Sequence, residues 1–201
     1  VRKRNTATIG ALLVCVCVSV ANAADKDPDA DNPSPTKAAF DEGVKAYDAG
    51  DYAAAYKIFS SIDDTDLAAM RNVAYMLRRG LGVAKDPKAA EEMYLRAAED
   101  GFPNAQADLG EMLMNGEAGP PDPAGAAPWL TAAAAAHHPV AEYELGILFE
   151  TGQGVTKDIE VARHLYTEAA ARDVPGAKER LAALPPARAG DKSQDSQGAT
   201  P

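Results

Sequence analysis

The chain has 201 residues, 46% of them hydrophobic and 25% charged, with 20 basic side chains against 30 acidic and a net charge of -10. Those fractions describe one globular domain with tails, neither disordered throughout nor built to span a membrane. So acidic a surface repels phosphate backbones and anionic bilayers, which excludes nucleic acid and membrane surfaces as partners held by bulk charge.

Residues 1–23 read as a secretory signal peptide. Arg2, Lys3 and Arg4 make a positive start, Ile9 to Ala21 an apolar run, and Ala21-Asn22-Ala23 the small residues that predict cleavage after Ala23. As a helix that run reaches only about 20 Å, short of the ~30 Å bilayer core, so no membrane insertion is expected after cleavage. Cys15 and Cys17 both lie in it, and Val14 and Val16 ahead of them argue against lipidation. The mature chain then holds no disulfide, no thiol nucleophile and no cysteine-ligated metal. The location expected from this leader is periplasmic or secreted.

Residues 24–36 carry aspartate and proline but no large apolar side chain, and residues 185–201 are as polar. Neither can bury enough surface to offset the entropy of ordering, so both are expected to be disordered. Residues 37–68 read as a short helical hairpin carried by Gly43, Ala46, Gly50-Asp51-Tyr52, Ala55 and Phe59.

From Ala69 a period of 36 residues sets in. Ala69, Ala105, Ala141 and Ala177 recur in step, as do Gly80, Gly116 and Gly152, then Asp86, Asp122 and Asp158, and Pro103, Pro139 and Pro175. The units are 69–104, 105–140 and 141–176, with a capping helix at 177–184. Periods of this length mean stacked supersecondary units, each too small to bury its own apolar face. Each unit reads as two helices. Ala141, Leu145, Leu148 and Phe149 line one face of the first, which a glycine ends because glycine accepts the left-handed conformation. Asp86 and Asp158 are placed to cap the second helix. Unit two departs: Ala118 and Gly119 stand where Gly-Val is expected, and Pro128 is expected to kink the second helix or delay its start. Trp129 is expected in the core.

The run Ala-x-x-x-Leu-Gly, Gly-x-Gly-Val-x-x-Asp and Ala-x-x-(Trp/Met/Leu)-(Tyr/Leu)-x-x-Ala-Ala resembles the Sel-one-like repeat (SLR) of the tetratricopeptide superfamily, and the opening hairpin resembles a tetratricopeptide unit. The resemblance covers about Ala38 to Leu184. It implies an all-α fold, a right-handed α-solenoid of antiparallel helix pairs, and a role as a bacterial adaptor that assembles protein complexes.

Chemistry is sparse. His137 and His138 are adjacent and point apart on a helix; after five alanines they read as a partly positive pair at a helix C-terminus rather than metal ligands. His164 reads as a surface or half-buried residue. No Gly-x-Ser-x-Gly or Ser-x-x-Lys motif occurs, and the Gly-x-Gly loops lack the glycine and strand of a dinucleotide site. No catalytic residue, metal or cofactor is expected. The expected partner is a protein, bound by a monomer on the inner wall made by the first helices. The residues facing that groove are Arg71, Tyr75 and Arg78 in unit one, Ala107, Glu111 and Met114 in unit two, and Tyr143, Ile147 and Glu150 in unit three. Their charge runs from positive to negative. A secreted effector or chaperone-like adaptor is the alternative within binding. Hydrolysis of β-lactams, linked to cysteine-rich relatives, is the enzymatic alternative.

Overall fold

The computed structural model describes residues 35–62 and 65–186. The signal peptide, most of the linker and all but the first two residues of the tail lie outside the described residues. Among those described there are nine α-helices and no strand: α1 (Pro35–Asp48), α2 (Tyr52–Ser61), α3 (Leu67–Arg79), α4 (Pro87–Glu99), α5 (Pro103–Asn115), α6 (Pro123–Ala135), α7 (Pro139–Thr151), α8 (Ile159–Ala171) and α9 (Ala177–Ala183). α1 starts two residues before the expected Lys37. The fold is an all-α repeat solenoid in which each helix packs on its sequence neighbours and α5 also meets α7. None of these helices is long and apolar enough to cross a membrane.

The repeat is set by its ends. Asp66, Asp86 and Asp122 each accept a hydrogen bond from the backbone N–H three residues on, at 2.9, 3.1 and 2.8 Å, and Asp158 caps α8 in the same manner. Proline opens α4, α5, α6 and α7, where a helix needs no N–H. The capping aspartate also ties the loop shut: the N–H groups of Asp86, Asp122 and Asp158 donate to the carbonyls of Leu77, Leu113 and Phe149 at 2.8–2.9 Å. The aberrant loop of unit two therefore closes with the same bond as its neighbours.

Inside each hairpin a small residue on the first helix faces a large one on the second. A Cβ on Gly43 would stand 2.7 Å from Phe59, on Gly110 2.6 Å from Leu130, and on Gly146 2.6 Å from Tyr166. Ala74 and Tyr94, at the same repeat positions in unit one, are both fully buried. At two of the junctions between units a loop glycine makes a close approach. Gly82 (φ 69°) and Gly154 (φ 72°) lie against the start of the preceding unit's second helix, and a Cβ there would come within 2.2 Å of Tyr52 and 2.4 Å of Pro123 backbone. Only glycine satisfies both the left-handed backbone and that approach.

Two expectations about unit two need correction. α6 neither starts late nor waits for Pro128: Asp122 caps it, Pro123 opens it, and Pro128 sits within it. Ala124, whose carbonyl loses its helical donor to Pro128, is exposed, as is Pro128, so the unpaired group lies on the solvent side. Trp129 is half-buried rather than enclosed, packing on the core of the first unit. The adjacent histidines also differ from expectation, while His164 does not. His138 Nδ1 accepts a hydrogen bond from Ala141 N at 3.3 Å, capping the start of α7. A capping acceptor must be neutral, and burial holds the ring below the ordinary histidine range. His137 takes a positive φ of 58° in the turn, and His164 is exposed.

Candidate functional site

α3, α5 and α7 place the expected groove residues at i, i+4 and i+7 in each unit, so they form one row per helix on a shared face. Arg71, Tyr75, Glu111, Met114, Tyr143, Ile147 and Glu150 are half-buried, whereas Ala107 and Arg78 are buried. Among the described residues there is no cluster of three His, Cys, Asp or Glu side chains able to hold a metal.

Polar rungs cross this face from one unit to the next. Between α3 and α5, Arg71 Nε donates to Asp108 Oδ2 at 2.5 Å. Arg78 donates through Nε to Glu117 Oε2 at 2.8 Å, through Nη1 to Glu111 Oε2 at 3.1 Å, and through Nη2 to Glu117 Oε1. The fork to Glu117 outweighs burial and raises the guanidinium's pKa, while the same bond holds the Glu117 carboxyl below its usual range. Between α7 and α9, Glu150 Oε2 accepts the Tyr166 hydroxyl at 2.6 Å and Arg180 Nη1 at 2.8 Å, and Arg180 Nε reaches the Tyr143 hydroxyl at 3.3 Å. Burial works against the Glu150 charge, but these two bonds prevail and depress its pKa.

The structure thus brings Arg78 and Glu111 together directly, and joins Tyr143 to Glu150 through Arg180. Met114 packs on the apolar cluster of unit two and Ile147 on that of unit three. Tyr75 carries the Arg79 guanidinium 5.8 Å above its ring. The expected run of charge is levelled, because the Arg78 charge is turned inward onto two glutamates and Arg180 offsets Glu150. Asp108, Glu117, Glu144 and Arg180 belong to this face and were not expected on it. Their signal in the sequence is register: 108, 144 and 180 are successive copies of one repeat position. Glu117 lies in the aberrant loop, where the repeat pattern offers no guide.

The helix pairs, the loop bond and the 36-residue step coincide with a known module. Residues 67–102, 103–138 and 139–174 each match the Sel1 repeat, together more than half of the chain. The chain belongs to the Sel1 repeat family. Each Sel1 repeat opens on the first residue of α3, α5 or α7, two residues ahead of the phase set on Ala69, Ala105 and Ala141. A Sel1 repeat protein from Oxalobacter formigenes is 35% identical with a TM-score of 0.66, over 71% of this chain and 58% of that one. The protective antigen c5321 of uropathogenic Escherichia coli, described as an SLR fold, is 26% identical with a TM-score of 0.68, over 74% of this chain and 33% of that one. The immunity protein Pa5087 of Pseudomonas aeruginosa is 25% identical with a TM-score of 0.53, over 76% and 61%. A 39-residue stretch is 49% identical to the chitin synthase regulatory factor 3 of Schizosaccharomyces pombe, which is 19% of this chain and 4% of that protein. The chain therefore spans less than two thirds of each of these relatives. Sel1 repeat proteins generally mediate protein–protein interaction.

Proposed function

We propose that this Sel1 repeat chain is a non-catalytic adaptor of the bacterial cell envelope that seats a peptide or helix of another protein across the face of α3, α5 and α7. The observation that carries this reading is the composition of that face. Half-buried Tyr75, Met114, Tyr143 and Ile147 supply contact area, and ion pairs between units hold the charged side chains around them in place. The envelope assignment rests on the signal-peptide pattern of residues 1–23. The relatives named a regulatory factor and an immunity protein accord with a binding role.

A photo-crosslinking amino acid at Tyr75 or Ile147 is expected to trap a discrete partner in intact cells, while the same group at Leu95, exposed on a second helix, is not. Equal trapping at all three positions would refute the groove. Fractionation into periplasm and culture medium decides between the envelope adaptor and a secreted effector.

A further inference from the structure

Asp108, Glu144 and Arg180 hold one position in successive units, and the repeat register matches each with the residues 37 and 30 earlier on the preceding first helix. For Arg180 those residues are Tyr143 and Glu150, and both bond to it. For Asp108 they are Arg71 and Arg78; Arg71 is bound to it, and Arg78 is bound to Glu111 and Glu117. For Glu144 they are Ala107 and Met114, neither of which can donate a hydrogen bond. Among the described residues no ion pair or hydrogen bond reaches the Glu144 carboxylate. Its side chain is half-buried, yet its oxygens are not sealed from solvent as the Tyr94 hydroxyl is. Burial and the Glu111 charge push its pKa up, and the Arg180 charge, which makes no ion pair with it, only partly offsets them. The ladder of rungs is complete at both ends and lacks a cation in the middle.

We propose that Glu144 receives a lysine or arginine side chain of the protein partner, which supplies the missing cation of the middle rung. This deepens the groove reading and rests on it. The chemistry favours a long basic side chain over any other occupant. Its charged head meets Glu144 with Glu111 beside it. Its methylene stem suits the half-buried Met114 and Ile147, the latter one helical turn from Glu144. The unpaired Glu144 charge also repels an acidic residue at the same place, so the site selects as well as binds.

A library of random twelve-residue peptides displayed on phage, panned on the purified chain, tests this. Peptides selected by the wild type and lost with Ile147→Arg are those that occupy the face. They are expected to carry Lys or Arg at a fixed distance from an apolar residue, and to bind Glu144→Gln at least about tenfold more weakly. Glu144→Lys is expected to select Asp or Glu at that same place. Circular dichroism melts confirm that each variant is folded. Face-binding peptides with no basic residue, or with equal affinity for Glu144→Gln, overturn the Glu144 proposal and leave the groove standing. Binding abolished by a chelator overturns it in favour of a metal at Glu111 and Glu144. If no selected peptide responds to Ile147→Arg, the groove reading itself fails.

Discussion

Tyr166 donates its hydroxyl to Glu150 at 2.6 Å, whereas Tyr94, the same residue two repeats earlier, is sealed in the core with no partner for its hydroxyl. The difference lies at one position: where unit three has the acceptor Glu150, unit one has Arg78, whose N–H groups are directed onto Glu111 and Glu117. Tyr166→Phe is expected to cost about 1.5–3 kcal/mol, the net worth of a bond to a charged acceptor. Tyr94→Phe removes an unsatisfied buried hydroxyl and is expected to leave stability unchanged or higher. Urea unfolding of the two variants side by side checks the contrast; equal losses would contradict it.

Arg78 and Arg71 face the same neighbouring helix but differ in solvent. The Arg78 side chain is 2% exposed and held by two glutamates, while that of Arg71 is 32% exposed with one partner. Arg78→Ala is expected to destabilise the stack by roughly 2–3 kcal/mol, below the figure for a fully buried pair, because an enclosed side chain is lost while the Glu117 and Glu111 charges left behind are partly solvated. Arg71→Ala is expected to cost about 1 kcal/mol or less. Thermal melts in low and high salt separate them, since salt reaches the half-exposed Arg71 more readily than the enclosed Arg78.

Gly50 and Gly82 both take left-handed backbone, at φ 80° and 69°, but open space surrounds Gly50 while Gly82 meets the Tyr52 backbone. Gly50→Ala is expected to cost about 1–2 kcal/mol, the conformational term alone. Gly82→Ala adds a clash with main chain that no rotamer relieves, and roughly 3 kcal/mol or more is expected. A denaturant midpoint for each variant measures the gap. Equal losses would mean that the loop does not seal the junction between the opening hairpin and the first repeat.

His138 caps α7 as a neutral ring, and its folded pKa lies below the unfolded value. The unfolded chain therefore binds more protons as the pH falls through the region below ~6.5, so stability drops there and is fully present above it. His138→Asn keeps a capping acceptor without the titration. Between pH 7.5 and 5.5 the wild type is expected to lose stability that His138→Asn retains. A wild type that matches the variant at both values would remove the cap from the account.

Much of this was legible in the residues. A 36-residue step in alanine, glycine, aspartate and proline determined the helix pairs, their ends and their stacking, because caps and left-handed turns are local and depend on residue type alone. The row of side chains on α3, α5 and α7 followed from helical spacing. What periodicity could not reveal was which of them are already spent. Arg78 is turned inward by Glu117, a residue of the irregular loop, and His138 serves the helix after it rather than the one before. Pro128 is tolerated where its helix faces water. The Arg78 outcome depends on contacts 33 and 39 residues apart, that of Pro128 on which side of its helix meets solvent, and that of His138 on the turn that aims its ring at Ala141. A carboxylate in the chain is simply a charge; only the stacked units decide that Asp108 and Glu150 have counterions while no described residue forms an ion pair with Glu144.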